Sequence, residues 1–388
     1  MLARATLARR LAAGSLLLLA VLSRQRPDGD TTTNLYGTTS DAIPTVTLNN
    51  GVKMPLVSAG FWEVKPAEAT ELVPTALGLG FDHLDASCVA YKNEEQLGAA
   101  LVNSGRDRSS FFLTSKLDPR PDWTAGGAYD LAMEQLEGCL TSHRTPYLDL
   151  LLLHYPMGSC KVQQEVWRAM EAFYEKGGAR AIGVSKYVPS RRDSTPLSVV
   201  AALAASVGAG WCWFAMAATP PLRRAIPTVP LPAPSSALAP SLVPHSFCPS
   251  SFECIMQTAK VKPAVNQVKM HVGMGTDPGG IRAHSAKLGA VVQAYSPLGA
   301  GTTGSPRTPE LISGELVTSI GAKYGKTGPQ VSLRWLVQNG VPVAQESTNA
   351  GHLAKNLDIF DWSLSDADMA ALDAATQPAG VYSFVCRD

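Results

Sequence analysis

The chain has 388 residues, 45% of them hydrophobic, which is sufficient for one large core. Its 33 basic and 32 acidic residues nearly cancel, so the electrostatic footprint of a nucleic-acid-binding protein is missing. The seven cysteines are scattered, odd in number and free of any Cys-x-x-Cys pair. They suggest neither a zinc site nor a disulfide framework, and read as small core residues.

Arg4, Arg9 and Arg10 precede an apolar run from Leu11 to Leu22, and no acidic residue comes before Asp28. A basic region followed by an apolar stretch too short for a comfortable membrane span predicts a leader over 1–26. Such a leader directs entry to the secretory pathway or an organelle. A retained anchor, a mistaken start codon and a cytoplasmic protein are the alternatives. A polar linker, 27–43, separates it from the fold.

Next come Thr45-Val46-Thr47-Leu48 and Val52-Lys53-Met54, on either side of Asn49-Asn50-Gly51. Asn-Gly between short apolar stretches predicts a β-hairpin. From Leu56 onward, short apolar runs alternate with helical patterns. The runs predict strands at Leu56–Phe61, Phe81–Asp85, Phe111–Lys116, Leu148–His154, Ala181–Ser185, Ala264–Val268, Ala290–Tyr295 and Val341–Val343. Helical spacing links Ala132, Leu136, Cys139 and Leu140, and likewise Val166, Met170, Phe173 and Tyr174. Ser365 and Asp368 predict a capping box before the last helix.

The unbroken run Leu150–Leu153 is what a strand buried on both faces looks like, as in a parallel sheet covered by helices. Eight such strands alternating with helices predict an α/β fold, a (β/α)₈ TIM barrel over 44–380 with the hairpin at its start and a short tail, 381–388. One stretch, 189–250, lacks any clean period. Val199–Ala218 is uncharged, and nine prolines fall between Pro220 and Pro249. A membrane span here would separate the fifth strand from the sixth across a bilayer, so no span is expected within the barrel. The reading is a long irregular insertion after strand five, or non-coding sequence carried in the gene model.

In a (β/α)₈ barrel the reactive residues stand at the C-terminal ends of the strands. Those ends carry Asp85, Lys116 and His154, with Tyr91 on the loop after the second strand. Carbonyl reduction needs a hydride source and a proton donor for the developing alkoxide. A phenol serves as donor when its pKa, normally near 10, is lowered by a neighbouring lysine ammonium. A carboxylate keeps that lysine charged, and a histidine orients the substrate oxygen through its ring N–H. Each residue alone is more often structural. Four at successive strand ends point to a site.

These residues lie in segments that resemble the aldo-keto reductase family. Gly80-Phe81-Asp82-His83-Leu84-Asp85 leading to Tyr91-Lys92-Asn93-Glu94-Glu95 is similar to the family's Asp/Tyr signature. Leu113-Thr114-Ser115-Lys116-Leu117 resembles its lysine motif, and Tyr147-Leu148-Asp149-Leu150 through His154-Tyr155-Pro156 its histidine motif. Ala181-Ile182-Gly183-Val184-Ser185, Pro263-Ala264-Val265-Asn266-Gln267, Ala294-Tyr295-Ser296-Pro297-Leu298-Gly299 and Asn356-Leu357-Asp358-Ile359-Phe360-Asp361 resemble its cofactor-binding segments, in order. The resemblance implies NAD(P)H-dependent reduction of aldehydes, ketones or aldoses by a monomer. Tyr91 is then the acid/base, Lys116 its pKa partner, Asp85 the counter-ion and His154 the substrate orienter. Tyr295 stacks on the nicotinamide, while Ser185, Lys186 and Gln267 meet its carboxamide. Ser296, Leu298, Glu346, Ser347, His352 and Asn356 bind the rest of the cofactor, and Trp62 walls the substrate pocket. The resemblance implies that the cofactor is bound without a Rossmann fold.

Four departures from the family pattern stand out. Five residues, Ala86 to Ala90, separate Asp85 from Tyr91 where the family has four. The extra residue either displaces the phenol or is taken up by a bulge. Lys186 replaces the usual asparagine of the carboxamide motif. Glu346 and His352 stand where a lysine and an arginine usually meet the cofactor's 2′-phosphate, and Glu63 replaces a lysine near the pyrophosphate. A carboxylate repels that phosphate and accepts from ribose hydroxyls, so both NADPH and NADH are expected as cofactors, unless Lys355 takes over. Last, the insertion emerges on the active-site face. An active reductase, a weak or inactive nicotinamide-binding homologue and a product defective through its insertion all remain open on sequence alone.

Overall fold

The computed structural model describes residues 43–120, 122–157, 159–187, 251–299 and 308–378. The predicted leader, the linker up to residue 42, the insertion 189–250 and the tail 381–388 lie outside the described residues.

The hairpin comes first along the described chain. Strand β1, Thr45–Thr47, pairs antiparallel with β2, Lys53–Pro55. Gly51 turns the chain at φ 86°, a conformation that costs glycine nothing. Leu48 and Met54 pack against Phe112, Leu150, Leu152, Ala181, Ala264 and Val265. Those partners lie at or near the starts of barrel strands, so the hairpin closes the barrel's N-terminal end. Asn49 and Asn50 fasten it by donating to the carbonyls of Pro263 (3.0 Å) and Arg180 (2.8 Å).

Eight parallel strands follow: β3 Val57–Gly60, β4 His83–Asp85, β5 Phe112–Leu117, β6 Leu150–Leu153, β7 Ile182–Ser185, β8 Val265–Lys269, β9 Val291–Tyr295 and β10 Val343–Glu346. They close into a barrel in chain order, with β10 pairing parallel to both β3 and β9. This is the predicted (β/α)₈ architecture. All four leucines of β6 are buried. Leu150 and Leu152 belong to the cluster at the base, and Leu151 and Leu153 alternate to the other face. At Gly183 a Cβ would stand 2.5 Å from the Val265 carbonyl oxygen, so β7 and β8 approach as they do only because that residue is glycine.

The helices show their predicted faces. Ala132, Leu136 and Cys139 are buried on the helix Ala128–Ser142, and Val166, Met170 and Phe173 on Cys160–Glu175. Ser365 caps Asp366–Asp373 by accepting from the Asp368 amide. No described helix is long and apolar enough to cross a membrane.

Two expectations need correction. The last strand is Val343–Glu346, not Val341–Val343. Pro342 has no N–H for a ladder, and the polar pair Gln345-Glu346 hid the strand's true end. Among the described residues four cysteines are paired, Cys88 with Cys139 and Cys160 with Cys254. The partners are 51 and 94 residues apart in sequence, so no local spacing announces them. Each pair meets only after the barrel has brought separate βα units together.

Candidate active site

The parallel register sets the ends of β4, β5 and β6 side by side, with Asp85 opposite Thr114 and Lys116 opposite Leu152. Lys116 is 1% exposed. Its ammonium donates to Asp85 Oδ1 (2.5 Å), the Ala86 carbonyl (2.8 Å) and Tyr91 Oη (3.0 Å). Three donors meet three acceptors, the condition under which a buried charge is tolerated. The other Asp85 oxygen accepts from Gln267 Nε2 at 2.7 Å, and the same amide donates to Gln293 Oε1 at 3.0 Å. Gln267, expected to meet a carboxamide, is therefore turned toward Asp85 in this structure.

The extra residue between Asp85 and Tyr91 is taken up by a bulge. Val89 is 48% exposed, and Ala90 beside it is exposed too. Both sides of the bulge are held. The amides of Ala86 and Cys88 donate to the Thr114 and Lys116 carbonyls, each at 2.9 Å. The amides of Val89 and Ala90 donate to Ser87 Oγ, and those of Tyr91 and Lys92 to Glu94 Oε1. Asn93 reaches back to the carbonyls of Phe61 (2.9 Å) and Val64 (2.7 Å), tying the half-buried Trp62 to the same loop. The phenol thus keeps its contact with Lys116.

The acidity of that phenol differs from the sequence expectation. Burial pushes the Tyr91 hydroxyl well above its usual value, with the charges of Asp85 and Asp118 adding to the effect. Enclosure and carboxylates outweigh the ammonium. Tyr91 is protonated across the working pH range and stands as an acid, not as a preformed phenolate.

His154, 4% exposed, directly follows β6, and its Nδ1 is hydrogen-bonded to Asp118 Oδ1. Sequence reading missed Asp118. The second Asp118 oxygen accepts from Ser87 Oγ at 2.5 Å. Its backbone is clamped by Gln135, which accepts from the amide (2.7 Å) and donates to the carbonyl (3.0 Å). Burial moves the His154 pKa down to about 4, partly opposed by Asp118 and reinforced by Lys186 and Lys116. Asp118 itself lies below its ordinary value, because His154, Ser87 and Lys116 together outweigh the burial that raises it. His154 stands edge-to-face with Tyr91, ring centroids 5.9 Å apart, and stacks on Tyr155 at 4.1 Å.

The expected cofactor residues follow the rim from β7 to β10. Ser185 Oγ donates to the Gln267 carbonyl at 2.9 Å. Lys186 takes a left-handed φ of 65°, and its amide donates to that same carbonyl at 2.8 Å. Its ammonium lies 3.7 Å from the centre of the Tyr155 ring and 5.6 Å from that of Tyr295. Burial, with Lys116 adding to it and Asp118 opposing, brings its pKa down to about 7. After β9, Ser296 (φ 49°) turns the chain, and its carbonyl accepts from the Gly299 amide at 2.9 Å; Leu298 in that turn is half-buried.

Beyond β10, Glu346 is half-buried, Ser347 is buried and His352 is exposed. Ser347 Oγ accepts from the Asn349 amide. Asn349 caps Ala350–Leu357 through the His352 amide at 3.0 Å, and Asn356 donates to Gln345 Oε1 at 2.6 Å. The site therefore has two parts. Asp85, Tyr91, Lys116 and His154 form one cluster with Lys186 and Tyr295 near it, while Glu346, Ser347, His352 and Asn356 form an arc further round the rim. On β9 and β10, the buried amide nitrogens of Gln293 and Gln345 have no hydrogen-bond partner among the described residues. Such orphaned donors fit a ligand rich in acceptor oxygens lying across this arc, as a pyridine dinucleotide is.

Comparison with known proteins bears on the fold and the family. A solved aldo-keto reductase from a Medee basin deep-sea metagenome library superposes with a TM-score of 0.65 at 25% identity, covering 89% of this chain and 99% of that one. The aldo/keto reductase of Brucella melitensis gives 0.63 at 26%, covering 86% and 99%. The sequence model of the Aldo/keto reductase family matches residues 51–200 and 246–377. Among curated relatives, glyoxal reductase of Bacillus subtilis is 30% identical over 331 residues, covering 85% of this chain and 92% of its own. Morphine 6-dehydrogenase of Pseudomonas putida is 28% identical over 337 residues, covering 85% and 90%. The chain belongs to the aldo/keto reductase family. It is an NAD(P)H-dependent oxidoreductase acting on carbonyl groups.

Proposed function

We propose that this chain reduces small aldehydes and ketones with Tyr91 as proton donor, Lys116 and Asp85 as the charge pair behind it, and His154 beside the substrate. The supporting observation is the bridge from Asp85 through Lys116 to Tyr91 Oη. An oxygen that accepts from an ammonium is free to give its own hydrogen elsewhere, and the ammonium meets the negative charge left behind. When bound, the nicotinamide supplies the hydride to the carbonyl carbon. Tyr91 delivers its proton to the oxygen as C=O becomes C–O, and is reprotonated from solvent. A site enclosed in this way holds the donor and the charge pair fixed before reaction. The braced bulge favours turnover over nicotinamide binding without chemistry, because the phenol is not displaced.

Tyr295, Ser185 and Lys186 are assigned to the nicotinamide, Ser296 and Leu298 to the pyrophosphate side, and Glu346, Ser347, His352 and Asn356 to the adenosine end. Glu346 fits ribose hydroxyls better than a phosphate, so NADH serves alongside NADPH. Every group of the site comes from one chain, which suits a monomer. Two disulfides and the basic-apolar N-terminus support residence in an oxidising compartment.

The test is oxidation of NADPH and NADH by the purified protein with a panel of small aldehydes. Tyr91→Phe is expected to lower kcat/KM by roughly 10²–10⁴-fold while cofactor binding persists. Folded protein that turns over no carbonyl with either cofactor refutes this reading.

A further inference from the structure

The two disulfides differ in how solvent reaches them. Cys88 and Cys139 are 3% and 0% exposed, and Ser115 Oγ lies 3.5 and 3.6 Å from their sulfurs. In the second pair Cys254 is 2% exposed, while Cys160 is only half-buried. Cys160 is the first residue of the helix Cys160–Glu175, directly after its cap Ser159. Once freed from its partner, a sulfur there is favoured as a thiolate by the helix dipole.

Below that disulfide the two segments stay joined. Residues 160, 164, 167 and 171 fall on one face of their helix. Gln164 Nε2 donates to the Cys254 carbonyl at 2.9 Å, and Trp167 Nε1 to the Val261 carbonyl at 3.1 Å. Glu171 Oε1 accepts from the amides of Lys260 (2.6 Å) and Val261 (2.9 Å). The disulfide is the end rung of this ladder. Opening it leaves three rungs closed and keeps the two sulfurs near each other.

We propose that Cys160 is a reversible S-thiolation site, at which a low-molecular-weight thiol exchanges with the Cys160–Cys254 bond while Cys88–Cys139 stays closed. The incoming thiol gives its proton to solvent. Its thiolate forms a new S–S bond to Cys160 Sγ as the bond to Cys254 breaks. Cys254 leaves as a thiolate and takes a proton from solvent, so the incoming sulfur is oxidised and the Cys254 sulfur reduced. Access selects the residue attacked, because Cys160 is the member of the pair that solvent reaches. The reverse attack, by Cys254 on Cys160, expels the thiol. The ladder holds that attacker in place, which makes reclosure an intramolecular step at high effective concentration.

Glutathione is the probe, applied to the whole folded protein and followed by alkylation and peptide mass mapping. With reduced glutathione, Cys254 is expected to be alkylated at least about 10-fold faster than Cys88 or Cys139, with glutathione carried on Cys160. Equal rates for the two disulfides overturn the inference, and so does glutathione on Cys254. Without alkylation, the wild-type adduct is expected to vanish when glutathione is removed and no oxidant is added; an adduct that persists overturns the reversibility. Cys254→Ser and Cys160→Ser, treated with oxidised glutathione, compare the two sulfurs singly. Cys254→Ser is expected to take the adduct on Cys160 and keep it, and Cys160→Ser to react at Cys254 at least about 10-fold more slowly. Comparable reaction of the two variants refutes the site. Circular dichroism identifies a variant that fails to fold, and the wild-type comparison then decides alone. None of these readouts depends on turnover.

Discussion

Cys88, three residues ahead of Tyr91, is disulfide-bonded to Cys139 near the end of the helix Ala128–Ser142. The bond ties the loop after β4 to the helix after β5, next to the bulge at Val89 and Ala90. Ser87 and Glu94 hold the same loop through hydrogen bonds, but only the disulfide anchors it covalently to another βα unit. Cys139→Ala, or reduction of the wild type, is expected to lower kcat/KM by roughly 10- to 100-fold through a loosened Tyr91. It should also cost about 2–4 kcal/mol of unfolding free energy, with cofactor affinity little changed. Activity indifferent to both treatments would show that the hydrogen bonds alone position the loop.

Lys186 places a positive charge in the wall assigned to the nicotinamide. The oxidised ring is cationic and the reduced ring is neutral, so the ammonium penalises the oxidised form alone. At pH 6, Lys186→Asn is expected to tighten NAD(P)⁺ binding by about 10-fold and to leave NAD(P)H within about twofold. The lysine titrates near pH 7, amid Lys116 near the end of β5, Asp118 just after it, His154 and Tyr155 after β6 and Tyr295 at the end of β9. By pH 8.5 it is largely neutral and the contrast with the variant should fade. Calorimetric titration with both cofactor forms decides it; equal responses of the two forms at pH 6 refute the assignment.

Glu346 ends β10 at the arc assigned to the adenosine ribose. Glu346→Lys exchanges an acceptor that repels phosphate for a donor that attracts it. The ratio of kcat/KM with NADPH to that with NADH is expected to rise by about 10-fold or more, equivalent to about 1.4 kcal/mol. If the ratio does not move, Glu346 lies outside the cofactor's reach.

His83 and His143 are fully buried, and burial brings each down to about pKa 4. His83 lies between the Pro55 carbonyl and Thr114 Oγ1, and His143 between the Cys139 carbonyl and Ser115 Oγ. Between pH 6.5 and 4 the unfolded chain binds protons that the folded chain refuses, so stability is intact above pH 6.5 and is lost as pH falls toward 4. The loss is on the order of 3 kcal/mol per histidine. Urea unfolding at pH 7, 5.5 and 4 measures it, and a free energy that holds steady over that interval would mean the rings accept protons in place.

The barrel was legible because a buried parallel strand is a continuous apolar run, and Leu150–Leu153 could be little else. Asp85, Lys116 and His154 were legible because the fold puts strand ends on one rim. Asp118 was not, since two residues past a strand an aspartate looks like any loop charge until His154 and Ser87 are seen around it. Cys88 and Cys139 were hidden for a related reason: their nearness is a product of barrel closure and leaves no spacing to read. The phenol's acidity was misjudged because a sequence shows that a lysine is near and does not show how much water has gone. Residues 189–250 yielded no period to argue from.

The hairpin that seats Leu48 and Met54 against the strand starts gives the molecule a floor. The barrel's interior is filled by side chains, and with its lower end covered by the hairpin, the described site residues gather at the opposite end. This arrangement divides labour along the barrel axis. Changes at the floor govern how long the enzyme lasts, changes at the opposite end govern what it does, and the two can drift independently.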